Sequence, residues 1–193
     1  MTTQDPNHVI RLKDGREAMI RPVQVSDAAG LLDCERAITR AGDGVVRSIE
    51  QLPADWREQA EKLAPWTDGT NNGSHGTLLV CVVGGVLCGS GSIRRMSPMR
   101  LRHVAHIALG VHPDFQGVGV GRSLMNAMLD WARSGLGSGI SRVDLDVFAV
   151  NTRAIRLYES MGFRIEGTRR NFVRFADGSH SDDHVMALLL EDN

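Results

Sequence analysis

Residues 103–150 decide most of what this chain can fold into. HVAHIALGV (103–111) is largely apolar, the pattern of a strand covered on both faces. It runs into the glycine-rich stretch QGVGVGRS (116–123) and then into helical periodicity. Leu124, Met128 and Trp131 fall on one stripe there, with Met125, Leu129 and Ala132 beside them. RVDLDVFAV (142–150) reads as another strand. Two strands joined through a helix pair in parallel, because the helix returns the chain to the end of the sheet where it began.

The flanking segments read as hairpins and helices. VIRLKDGREAMIRPV turns at Asp14-Gly15, and TLLVCVVGGVLCGSGSIRRM turns at Gly84-Gly85. The closing FRIEGTRRNFVRFADGSHSDDHVMALLL turns at Asp177-Gly178. Ser26 is placed to cap a helix through DAAGLLDCERAI. A second helix is expected within PADWREQAEKLA, with a proline near its first turn and its end before Pro65. A polar, glycine-rich loop follows over residues 67–76. Asn151 is placed to cap a helix through TRAIRLYESM that stops at Gly162. The expected fold class is α/β: a mixed, largely antiparallel twisted sheet flanked by helices, with one parallel strand–helix–strand unit. One domain is expected over residues 1–193, with 1–8 as a flexible tail.

Lysine and arginine number 22 against 23 aspartates and glutamates, a formal net charge of −1. That balance offers no broad attraction to nucleic acid or anionic membrane, and no run interleaves basic with aromatic residues. No apolar run approaches the roughly 20 residues that span a bilayer. The N-terminus lacks the apolar core of a secretory signal. Cys34, Cys81 and Cys88 are an odd set without metal-ligand spacing, which argues against a disulfide framework or a zinc site. A cytoplasmic protein with no metal is expected.

The glycine loop fails both common nucleotide fingerprints. GxGxxG begun at Gly117 meets Arg122 where glycine is needed, and begun at Gly119 it meets Leu124. The Walker pattern fails at Gln116 and Arg122. The physics that those motifs share survives. Residues with little side chain let backbone N–H groups converge on an anion, and a helix start adds roughly half a positive charge. A phosphate or pyrophosphate is the expected ligand.

Gln116-x-x-Gly119-x-Gly121 resembles the Gln/Arg-x-x-Gly-x-Gly/Ala signature of the GNAT superfamily of N-acetyltransferases. NTRAIRLYESMGFRIEGTRR resembles that family's later block, with Asn151, Ala154, Tyr158, Gly162 and Phe163 in matching positions. The tail, DG followed by Asp182-x-x-x-Met186, resembles bacterial members that acetylate small amines, amino acids or protein N-termini. The resemblance implies acetyl-coenzyme A as acetyl donor and a possible homodimer. Its pyrophosphate is expected on the stretch Gln116, Gly117, Val118, Gly119, Val120, Gly121, Arg122 and Ser123. Its pantetheine arm is expected beside Leu109, Gly110 and Val111, where the family's strand splays from the next. Asn151 is expected at that arm or at an ordered water, and Tyr158 at the sulfur as general acid.

The implied reaction is attack of an amine on a thioester carbonyl, and only a neutral amine carries the lone pair. Deprotonating a lysine-like amine at pH 7 costs roughly 4.6 kcal/mol, an α-amine about 1 kcal/mol. His106 is the candidate base; relatives often carry an acid on that strand, and the competing reading is a structural histidine. His103, three residues earlier, falls on the opposite face. Arg94, Arg95, Arg100 and Arg102 suggest recognition of a carboxylate, whereas Asp182-Asp183-His184 suggests recognition of a cationic amine. The leading expectation is an N-acetyltransferase acting on a primary amine of a small molecule or amino acid. Alternatives are a protein N-terminal acetyltransferase of ribosomal-protein type and a non-catalytic acyl-coenzyme A sensor.

Overall fold

The computed structural model describes residues 8–42, 44–68 and 73–190. Eight strands form one sheet: β1 (His8–Arg11), β2 (Glu17–Pro22), β3 (Gly76–Val83), β4 (Val86–Arg95), β5 (Val104–Val111), β6 (Arg142–Phe148), β7 (Arg164–Arg174) and β8 (His180–Leu189). Their spatial order is β1-β2-β3-β4-β5-β6-β8-β7. Every pairing is antiparallel except β5 with β6, the strand–helix–strand unit expected from the sequence. Helices α1 (Ala28–Ala41) and α2 (Trp56–Thr67) cover one face, and α3 (Val120–Arg133) packs on the other, where α4 (Thr152–Glu159) adds its buried side.

Side-chain alternation explains the two cores. In β3, Leu79 and Cys81 face the α3 side, while Val80 between them faces α1 and α2. The α3 stripe is fully used: Leu124, Met125 and Met128 are completely buried, and Leu129, Trp131 and Ala132 nearly so. All three cysteines are buried, and burial pushes the Cys34 thiol up to about 12. No helix is long and apolar enough to cross a membrane, among the described residues.

Several boundaries differ from expectation. Ser26 caps no helix; it sits inside a short 3₁₀ turn, Val25–Asp27, and α1 starts only at Ala28. The Asp27 carboxylate accepts from the Gln24 amide (2.8 Å) and closes that turn. Helix α2 runs through Pro65 to Thr67. A proline so near the C-terminal end removes one backbone donor without ending the helix. The N-cap of α2 is Asp55, whose carboxylate accepts from the Arg57 and Glu58 amides. Most of the expected tail over residues 1–8 lies outside the described residues, but His8 pairs with Ile20 in the sheet. Residues 69–72 of the expected polar loop also lie outside them; residues 73–75 form a 3₁₀ turn and Gly76 already belongs to β3.

Candidate active site

The parallel pairing that fixes the topology is short. Strand β5 pairs along its whole length with β4, yet with β6 only at Val104–Arg142, Ala105–Val143 and His106–Asp144. Beyond His106 the two strands part. His112 donates its amide to the Cys88 carbonyl (2.9 Å) on the β4 side. Strand alternation therefore turns the polar backbone groups of Ala108 and Gly110 towards β4, and those of Leu109 and Val111 into the gap. Gln116 crosses this end and donates its side-chain N–H to the Val111 carbonyl (3.1 Å). Of the strand residues expected to meet a cofactor arm, Leu109 thus turns its backbone groups and Val111 its amide N–H to the gap, whereas at Gly110 a Cβ would lie 3.0 Å from Ile38 Cδ1, so α1 packs close there.

At the end of the gap stands the glycine loop. Gly117 (φ 80°) and Gly119 (φ 111°) hold left-handed backbone that side chains resist. Gly119 is the N-cap of α3 and brings no side-chain cap, so the first-turn amides stay open. The amides of Gly117 to Arg122 meet no backbone acceptor among the described residues, whereas Gln116 donates to Pro113 and Ser123 to Gly119. The Val118 carbonyl is taken by the Lys13 amide (2.9 Å), and the Val120 side chain is buried in the core. The expected anion cradle over 116–123 narrows to amides 117–122. Basic side chains line the groove that this loop opens into: Lys13 from the β1–β2 turn, Arg122, Arg153 and Arg156. Arg122 is tethered to the Ser160 hydroxyl (2.6 Å).

Loop and gap open into one groove of about 1140 Å³ that also reaches His106 and Tyr158. Tyr158 is buried on α4 beside Phe163, with ring centroids 6.1 Å apart. Burial pushes its phenol up to about 12, so it remains a hydrogen-bond donor across the neutral range. Asn151 caps α4 by accepting from the Ala154 amide (3.2 Å). The chain after α1 rests on it: a Cβ at Gly44 would lie 2.5 Å from the Asn151 amide nitrogen.

His106 faces the groove, half-exposed, with Nε2 at 3.3 Å from the Asp146 carboxylate. Asp146 in turn accepts from Arg169 (2.6 Å), and Arg169 also pairs with buried Asp183 and stacks on Phe172 at 4.1 Å. The sequence reading missed Asp146, Arg169 and the site role of Asp183. The one available signal was the alternation in DLD, which puts Asp144 and Asp146 on one face of β6. Asp182, weighed beside Asp183 as an attractor of amines, does not line the groove. Its carboxylate accepts from the Asn171 amide (2.8 Å), pinning a bulge in β7 where Asn171 has φ 50°.

Of the four arginines before β5, only Arg94 lines this groove, its guanidinium 4.9 Å over the Trp66 ring. Arg95 is a clasp, donating to the carbonyls of Ser74, Arg102 and Ser138. The helical wall adds Glu35, Gln59 and Lys62. Burial pushes the Glu35 carboxyl up, against the pull of Arg47, Gln59 and Lys62.

A strand gap, an open helix N-terminus and a buried tyrosine on one groove invite comparison with known proteins. Residues 46–163 match the model of the acetyltransferase (GNAT) family, over half of the chain. The chain belongs to the GNAT family. It is 33% identical over 149 residues to the [ribosomal protein bS18]-alanine N-acetyltransferase of Salmonella typhimurium, covering 74% of this chain and 94% of that one. It is 32% identical over 110 residues to the L-amino acid N-acetyltransferase AaaT of Escherichia coli, covering 57% and 65%. Among solved structures, a GNAT-family acetyltransferase of Streptococcus pneumoniae superposes with a TM-score of 0.79 at 22% identity, covering 90% and 99%. The structure of yncA from Salmonella typhimurium, solved with its cofactor acetyl-CoA, gives 0.74 at 22% identity, covering 91% and 95%. The chain is thus an acetyl-CoA-dependent N-acetyltransferase with the GNAT fold.

Proposed function

We infer that the protein acetylates the α-amino group of a small molecule or amino acid. The observation that carries this reading is the continuous groove from the open amides at 117–122, past the free edge of β5, to Tyr158 and His106. The donor set fits the group. Six amides without backbone acceptors and a basic lining suit a pyrophosphate, and Leu109 and Val111 suit an amide-bearing arm.

Acetyl-coenzyme A, when bound, supplies the acetyl group as an activated thioester. The chain's own residues do the rest. His106 takes a proton from the incoming ammonium and so provides the neutral amine. The amine lone pair forms the new C–N bond as the C–S bond breaks; Tyr158 donates a hydrogen bond to the sulfur that departs with that bond's electron pair and takes up the second proton shed by the acylated nitrogen. An α-amine suits this arrangement, since freeing its lone pair at pH 7 costs about 1 kcal/mol.

A protein N-terminus is the second reading, favoured by the similarity to the alanine N-acetyltransferase of Salmonella typhimurium. A thiol-release assay with acetyl-coenzyme A decides between them. The acceptors are the free amino acids, simple amines and peptides with N-terminal alanine. Turnover of amino acids with none of the peptides is expected. Turnover of peptides alone would support the second reading. Tight coenzyme binding with no acceptor-dependent release would refute both in favour of a sensor.

A further inference from the structure

We propose that Arg169 is a positioning residue for the base: it anchors the Asp146 carboxylate that orients His106. This rests on the reading of His106 as base, but its evidence is separate. Four strands contribute one side chain each to a continuous chain of contacts. Asp183 on β8 pairs with Arg169 on β7, Arg169 donates to Asp146 Oδ1 on β6 (2.6 Å), and Asp146 Oδ2 faces His106 Nε2 on β5 (3.3 Å).

Each link has a cause. Asp183 is 2% exposed, and a buried carboxylate needs a cationic partner. Arg169 meets that need through Nε and Nη2, and Nη2 also reaches Asp146. The Phe172 ring holds the guanidinium from the other side, and Phe172 is aimed there by the bulge that Asp182 pins at Asn171. Arg169 is therefore held from two sides, by Asp183 and by Phe172, before it touches Asp146. A carboxylate on a half-exposed strand would otherwise sample several rotamers. With one oxygen fixed, Asp146 presents the other to His106.

Two consequences follow for the base. An imidazole that directs its Nε2 proton to Asp146 leaves Nδ1 to accept a proton. A carboxylate shared with a guanidinium also attracts an imidazolium less than a lone one would. The charged groups packed about His106 are Arg94 on β4, Asp144 and Asp146 on β6, Arg169 on β7 and Asp183 on β8. Asp144 is itself paired with Arg142 (2.6 Å). Glu35 and Lys62 face the same groove from the helices, and Tyr158 faces it from α4.

The test is the NMR titration of the His106 ring, its signal assigned by its loss in His106→Gln. Arg169→Met alone would strand a buried charge, so Arg169→Met/Asp183→Asn is measured, with thermal unfolding as the fold control. The His106 midpoint is expected to rise by about half a unit to one unit in the double variant and to fall in Asp146→Asn. A folded double variant whose His106 midpoint matches wild type would overturn the proposal. The titration needs no substrate. A wild-type enzyme without acceptor-dependent turnover would therefore count against the function, whereas an unmoved midpoint counts against Arg169.

Discussion

Replacing Tyr158 with phenylalanine tests the division of labour in the groove. Burial holds the phenol near 12, whereas an ordinary thiol titrates near 8.5. Complete transfer of the tyrosine proton to the leaving thiolate is uphill by about 5 kcal/mol on those values. Full protonation by Tyr158 is thus a poor route, and donation of a hydrogen bond to the developing thiolate is a good one. A hydrogen bond to a charged group contributes about 1.5–3 kcal/mol. Tyr158→Phe is therefore expected to lower kcat by about 10- to 150-fold. Packing against Phe163 is retained, so coenzyme A affinity and unfolding temperature should hold. The assay is single-turnover acetyl transfer, which isolates chemistry from product release. The pH profile adds a sharper criterion. Because the phenol stays protonated far above neutrality, no alkaline loss of rate from Tyr158 should appear below about pH 11. An unchanged single-turnover rate would remove Tyr158 from the chemistry. An alkaline limb near pH 9 that vanishes in Tyr158→Phe would show that burial does not control this phenol.

Gly119→Ala forces a side chain into left-handed backbone at the start of α3. A stability loss of about 1–2 kcal/mol is expected in urea unfolding, together with a roughly tenfold or greater loss of coenzyme A affinity in calorimetry. A Cβ at Gly137 would sit 2.4 Å from the Ala132 carbonyl oxygen and 2.5 Å from that of Trp131, whereas at Gly135 it would meet nothing within 4 Å. Gly137→Ala should therefore destabilise by about 2 kcal/mol or more, and Gly135→Ala by less than about 0.5 kcal/mol, in matched denaturant titrations. Burial raises the Asp27 carboxyl, but the paired hydrogen bonds from Arg21 and the Gln24 amide outweigh it and hold Asp27 below the usual carboxylate value. A lowered folded-state value means that this stabilisation is present above the unfolded value near 3.9 and is lost as pH falls through the folded one. The stability gap between wild type and Asp27→Asn should be constant from neutrality to about pH 5 and then close on acidification.

What could be read from the sequence was what is local. Gly117 and Gly119 announce themselves because only glycine suits their backbone, and the stripe from Leu124 to Ala132 announces α3 by its period. Asn151 and Gly162 bracket α4 by capping chemistry that acts within a few residues. The glycine-loop end of the groove was legible for this reason. The end at His106 was not. His106 is separated by 40 residues from Asp146, and Asp146 by 23 from Arg169, and nothing in a linear reading brings them together. Asp182 and Asp183 show the limit most plainly. They are neighbours in sequence and were weighed as a pair, yet strand alternation sends one to a bulge and the other to the groove. The misread boundaries have local causes as well. The Gln24–Asp27 turn displaced Ser26 as the start of the first helix, and Pro65 falls where a lost donor matters least.

The three rungs that join β5 to β6 have a mechanical meaning. The five strands before them and the three after them are two plates, each stitched along its own length but riveted to the other at one end. Anything lying in the open part of that seam becomes a second fastener between the plates. Occupancy of the seam and resistance of the whole fold to unfolding are then one linked equilibrium, and ligand at a hundredfold excess over its dissociation constant adds about 2.7 kcal/mol. Amide exchange at Leu109 and Val111 would report the seam closing before any product is made.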